Sequence, residues 1–299
     1  MYVRGTHVNW PHHFANEKLY MSDFQTDPSG YQMADLLDIM AQLRDPQTGC
    51  PWDLKQDYGS IVKHTIEEAY EVADTIERKA FDQLPGELGD LLFQVIFYAQ
   101  LGQEQQCFDF NDVVNSICTK LIRRHPHVFG TSTFSNESQL NANWENEKAK
   151  ERAQLSDNQH NSLLDDIPSN MPALSRAAKI QKRVAHHGFD WPTWHGSMDK
   201  IKEELLEVEQ ELVATPVDPV KVNEELGDLL FAVVNLVRSQ HVDPEQALRN
   251  ANIKFERRFR GVEQLLQQQD LTTEQATLTQ MDQMWDQVKL QEKMSKTCD

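Results

Sequence analysis

Cysteine is scarce: Cys50, Cys107, Cys118 and Cys298 are the whole supply, and no two form a C-x-x-C pair. A chain of 299 residues can bury a sizeable core without disulfide staples, so this usage fits a reducing cytoplasm. Long apolar runs are missing too. No stretch approaches the roughly 18 residues of a membrane span, and the start lacks the apolar segment of a signal peptide, so neither membrane crossing nor export is expected. The phosphate cradles G-x-x-x-x-G-K-S/T and G-x-G-x-x-G do not occur, nor does a G-x-S-x-G elbow, which removes P-loop, dinucleotide-binding and serine-hydrolase signatures. Positive charge is short as well. Against 47 Asp and Glu stand 29 Lys and Arg, a formal net charge of -18 that repels nucleic-acid backbones and anionic lipid. Neither nucleic acid nor a membrane is expected as a partner, although cations and a few local Lys or Arg groups would still let such a chain hold a triphosphate.

What the chain does have is a repeat. Glu87-Leu88-Gly89-Asp90-Leu91-Leu92-Phe93 recurs unchanged as Glu225-Leu226-Gly227-Asp228-Leu229-Leu230-Phe231, 138 residues later. Upstream of each copy stands a second acidic cluster, Glu67-Glu68-Ala69-Tyr70-Glu71 and Glu203-Glu204-Leu205-Leu206-Glu207. Downstream, Lys120, Arg123 and Arg124 match Lys254, Arg257 and Arg258, while Trp144 and Lys148 match Trp285 and Lys289. Leu88, Leu91, Leu92, Val95 and Ala99 fall on one helical face, as do Leu226, Leu229, Leu230, Val233 and Val237, and strand alternation is absent. The fold class expected is therefore all-α, in two tandem helical-bundle repeats. Boundaries follow from turn chemistry: a poorly ordered leader over 1–30, with Met21 and Met33 as alternative starts; a first repeat over 31–153; a Ser-, Asn-, Asp- and Pro-rich linker over 154–172; and a second repeat over 173–299.

Residues three apart on a helix share a face, so Glu68 projects with Glu71, Glu87 with Asp90, Glu204 with Glu207, and Glu225 with Asp228. Antiparallel packing of the two acidic helices of a repeat would bring four carboxylates together, as in metal sites of helical bundles. Hard oxygen ligands without His or Cys favour Mg²⁺ or Mn²⁺ over zinc or a redox metal. Asp90 and Asp228 directly precede Leu-Leu-Phe, so they are expected beside a buried stripe, where an unpaired carboxylate is costly. The basic cluster Lys254, Arg257 and Arg258 suits either helix-end salt bridges or a phosphate clamp, and Trp285 either a base stack or core. His125 and His127, around Pro126, look like turn residues.

This order of motifs, with Gly49-Cys50-Pro51-Trp52-Asp53 and Arg123-Arg124-His125-Pro126-His127-Val128-Phe129, closely resembles the two-repeat MazG family of nucleoside triphosphate pyrophosphohydrolases, over about residues 33 to 295. The resemblance implies an all-α pyrophosphatase fold, a homodimer, and hydrolysis of a nucleoside triphosphate to the monophosphate and diphosphate with broad base tolerance. It also implies Mg²⁺ on Glu204, Glu207, Glu225 and Asp228, and nucleotide contacts at Lys200, Lys221, Lys254, Arg258 and Trp285, with Arg257 beside them. Glu203, ahead of Glu224, is the first candidate to position the attacking water. The site formed by Glu68, Glu71, Glu87 and Asp90 is expected to be the weaker one. His64 stands where the second repeat has Lys200 and Gln83 where it has Lys221, though Lys63 is a nearby compensating cation. Two other readings stay open: a narrower dUTP or dCTP hydrolase, and a non-catalytic acidic helical module that binds a partner helix.

Overall fold

The computed structural model describes residues 30–155, 162–165 and 167–295. All of the expected leader but Gly30 lies outside the described residues, as do 156–161 and 166 of the expected linker. Among the described residues all regular structure is helical, and the all-α expectation is met. No helix there is long and apolar enough to cross a membrane. The chain divides into two compact units, Met1–Lys148 and Ala149–Asp299.

In the first unit α1 (Met33–Leu43) leads through a 3₁₀ turn at Asp53–Lys55 into α2 (Tyr58–Glu77) and α3 (Leu84–Glu104). After these come α4 (Phe110–Arg124), the short α5 (Pro126–Phe129) and α6 (Glu137–Leu155), which runs past the boundary between the units. Asp57 starts α2 because its side chain accepts from the backbone of Ser60 while the Ser60 hydroxyl accepts from the backbone of Asp57, a reciprocal capping pair. The core of this unit is Met40, Ile61, Ile96, Phe97 and Leu101, drawn from α1, α2 and α3. Tyr58 stacks on Tyr98, whose hydroxyl lies 2.8 Å from that of Thr65, so the start of α2 is fixed against the far end of α3. That places the two acidic segments of the repeat on facing helices.

The second unit repeats the plan with α7 (Ala173–Ala185), α8 (Trp194–Val213), α9 (Pro219–Ser239), α10 (Pro244–Gln267) and α11 (Leu278–Ser295). Asp218-Pro219 and Asp243-Pro244 open α9 and α10, each Asp capping a free backbone amide and each Pro sitting in the first turn, where no hydrogen bond is lost. Helices α8 and α9 pack on each other, α7 lies on α9, and α10 packs on α11 and α7. Val262, Leu266, Met284 and Val288 form the α10–α11 core. By contrast, α8 buries only Ser197, Glu204 and Val208, and it leaves Leu205, Leu206 and Leu212 exposed.

Candidate metal centre

Packing α8 on α9 brings one carboxylate oxygen from each of Glu204, Glu207 and Glu225 within 4.8 Å of the others. Glu68, Glu71 and Glu87 form the same group on α2 and α3 under the same limit. The remaining residue of each expected quartet, Asp90 or Asp228, lies outside these groups. Both are exposed, which corrects the expectation that they sit beside a buried stripe. The reason is the orientation of the apolar run: Leu88, Leu226 and Leu230 are themselves exposed, and burial begins further along at Gln94, Ile96, Ala232 and Val234. The deeply buried carboxylate is instead Glu204, 4% exposed.

Three carboxylates this close repel one another. The Glu68 carboxyl is pushed up by burial and then by the charges of Glu71 and Asp90. Glu207 is also raised, first by loss of hydrating water and then by Glu204 and Glu225. Such groups are relieved by a cation, and an all-oxygen, all-carboxylate donor set fits a hard divalent ion.

The second-repeat group already has one cation against it. Lys200 lies 2.6 Å from Glu204 and 2.8 Å from Glu203, and these two carboxylates, Glu203 first, hold its ammonium charged well above the ordinary lysine range. In the first repeat His64 reaches Glu67 at 3.5 Å. Lys63, Glu67, Tyr70 and Glu71 line an open groove of about 520 Å³ on α2. Glu203 and Glu224 are both exposed, as is Lys221 in the first turn of α9.

The other expected nucleotide residues form a separate assembly on α10 and α11. Arg257 and Arg258 both bond to Glu292, at 2.8 and 2.9 Å, and Arg258 first, then Arg257, holds that carboxyl below its usual range. Arg258 lies over the Trp285 ring at 5.8 Å, and Trp285 meets Phe255 at 5.1 Å while packing on the α10–α11 core. Lys254 is exposed on the same helix. The first repeat mirrors this assembly, with Arg124 and Lys148 over Trp144 at 5.6 and 5.7 Å. His125 caps the end of α4, as a turn residue should, and also packs edge-on against Trp144.

Three ion-pair partnerships escape a reading of the sequence. Glu292 stands seven residues after Trp285 as Glu151 does after Trp144, a signal that a longer alignment of the repeats would have shown. Arg44 grips Glu104 through both carboxylate oxygens, and Arg238 holds Asp190 at 2.7 Å. Each pair ties the segment before the acidic helix to the far end of its neighbour, but with the charges exchanged, so repeat comparison hides it.

Both repeats resemble known proteins. The model of the MazG nucleotide pyrophosphohydrolase domain matches residues 56–129 and again 193–262. A nucleoside triphosphate pyrophosphohydrolase of Escherichia coli is 53% identical over 261 residues, spanning 87% of this chain and 98% of the relative. The chain belongs to the MazG family. A Thermotoga maritima nucleoside triphosphate pyrophosphohydrolase/pyrophosphatase MazG is 41% identical over 87% of this chain and 97% of its own length. A Mycobacterium tuberculosis nucleoside triphosphate pyrophosphohydrolase is 35% identical over 54% of this chain and 48% of its own length. Within this MazG chain the two matches take in both carboxylate groups, whereas Trp285 and Glu292 lie beyond the second.

Proposed function

We propose that the protein hydrolyses nucleoside triphosphates to the monophosphate and diphosphate, with Mg²⁺ or, in its place, Mn²⁺, chiefly at the second repeat. The observation that carries this reading is the convergence of Glu204, Glu207 and Glu225, with Lys200 beside them. The names of the relatives from Escherichia coli and Thermotoga maritima support it. Glu204, Glu207 and Glu225, with Asp228 as the fourth carboxylate, would hold the metal. When bound, a divalent ion neutralises phosphate oxygens and lowers the pKa of water.

The chain's own groups do the rest. Glu203 positions water in line with the α-phosphorus, Glu224 being the alternative, and accepts its proton as the new P–O bond forms. The bond from the α-phosphorus to the bridging oxygen breaks, and diphosphate leaves with the electron pair. Lys200, Lys221, Lys254, Arg257 and Arg258 balance the triphosphate charge, and Trp285 offers a stacking face to the base. Stacking reads no hydrogen-bond pattern, so broad base tolerance follows. Glu68, Glu71, Glu87 and Asp90 form the weaker first-repeat site, since His64 and Gln83 replace two lysines. The working unit is a homodimer, because each acidic hairpin leaves Leu88 and Val95 or Leu226, Leu230 and Val233 exposed, and the chain's scarce cysteines, none in a C-x-x-C pair, suit the cytoplasm.

A panel of the eight common NTPs and dNTPs, with and without Mg²⁺, tests the proposal. Metal-dependent release of diphosphate and monophosphate from most of them is the expected result. Turnover of dUTP or dCTP alone would replace it with the narrower hydrolase, and release of orthophosphate would contradict it.

A further inference from the structure

We propose that Lys200 is the resting counter-cation of the second-repeat carboxylates and hands its place to the divalent ion, so that metal and triphosphate bind as a coupled pair. This inference rests on the reading of the site as a metal and triphosphate site.

The geometry is that of an occupied position. The Lys200 ammonium lies 2.6 Å from an oxygen of Glu204 and 2.8 Å from an oxygen of Glu203. Glu204 is the buried member of the group that also contains Glu207 and Glu225, and its side chain is only 5% exposed, so water has little access to replace the lysine. Glu204 is buried while Lys200 is 36% exposed, so withdrawing the ammonium leaves the uncompensated charge on Glu204, which favours exchange for another cation over simple departure. An ammonium and a divalent ion draw on the same carboxylate lone pairs.

Displacement has different consequences with and without nucleotide. With metal alone, the freed ammonium stays on α8 beside a newly bound dication, and the two repel. With a triphosphate present, the flexible lysine stem carries the charge to phosphate oxygens, so the cost of displacement is offset by a new ion pair. Each ligand then raises the affinity of the other by the same factor. The first repeat supplies the internal contrast. At the matching place His64 reaches Glu67 at 3.5 Å, and no ammonium or guanidinium pairs with Glu68 among the described residues. Among the described residues, Glu68, Glu71 and Glu87 thus have no paired lysine to displace, Lys63 lining the groove beside Glu71 without an ion pair to it.

The test uses the full chain with Glu71→Gln and Glu87→Gln, which silences the first-repeat group, and follows free Mn²⁺ by electron paramagnetic resonance. Mn²⁺ is titrated alone and with an α,β-methylene nucleoside triphosphate, which resists cleavage at the scissile bond. The expected result is that the analogue tightens Mn²⁺ binding about fivefold or more, and that Mn²⁺ tightens analogue binding equally. Adding Lys200→Met should strengthen binding of Mn²⁺ alone and shrink this mutual effect, whereas a lysine that merely props up the site would weaken Mn²⁺ on removal. Mn²⁺ binding that Glu207→Gln abolishes, but whose strength and coupling Lys200→Met leaves unchanged or reduces together, overturns the handover alone. Absence of Mn²⁺ binding with and without the analogue overturns the handover and the metal site with it.

Discussion

Arg44 shows how much of the first repeat hangs on one side chain. It is 7% exposed, donates to both oxygens of Glu104 and to the backbone carbonyls of Asp53 and Gln56, and covers the Phe97 ring. Its removal leaves Glu104 with only the Gln100 amide as donor, and takes the guanidinium from the carbonyls of Asp53 and Gln56. Arg44→Ala should therefore cost about 2 kcal/mol in urea unfolding, since a buried side chain loses hydrogen bonds to a charged partner that water still reaches. The pair also sets a pH dependence. The Arg44 hydrogen bonds hold the Glu104 carboxyl below its ordinary 4.5, so its contribution to stability is present above that value and is lost as pH falls through the lower folded value. Stability measured from pH 6 to 3 should fall less steeply in Glu104→Gln than in the parent, and identical slopes would contradict the assignment. At this scale the sequence was only partly legible. Spacing pointed to Glu204, Glu207 and Glu225, but the Leu-Leu-Phe run also placed Asp228 beside a buried stripe, because sequence order does not say how far a helix is turned.

Helices were the most legible feature, since a 3.6-residue period is a local signal. The segments between them were not. In the second repeat the loop before α8 is fixed by Asp190, whose carboxylate accepts from Arg238 and from the Trp191 amide, and by the Trp191 ring lying over Gly196. A Cβ on Gly196 would come within 2.1 Å of that ring, so the close approach requires glycine. Gly196→Ala should displace the ring and destabilise the second unit by about 1–3 kcal/mol, which thermal unfolding would register. An unchanged Tm would mean that the loop does not pack there. Nothing in the local sequence marks Gly196 out, because its neighbour comes from outside the helix.

For the whole molecule, the duplicated motif predicted tandem helical repeats, and the family match falls on both. Less legible was how little each acidic hairpin buries. Leu226, Leu230 and Val233 are exposed on α9, as are Leu88 and Val95 on α3, and a Cβ on Gly89 or Gly227 would meet nothing within 4 Å. Surface of this kind marks an association face. Sedimentation at micromolar concentration should give a dimer of the 34.6 kDa chain, and Leu230→Glu should shift it toward monomer with helicity retained. A parent sedimenting only as monomer would remove the dimer.

The central claim, that the second-repeat carboxylates do the chemistry, is tested most directly by matched lesions. One protein carries Glu207→Gln with Glu225→Gln and the other Glu71→Gln with Glu87→Gln, and diphosphate release is measured for both at saturating Mg²⁺ with circular dichroism as the fold control. The account predicts that the second-repeat lesion abolishes release at unchanged helicity while the first-repeat lesion leaves most of it. A first-repeat lesion that costs more, or near-parental release from the second-repeat variant, would contradict the account.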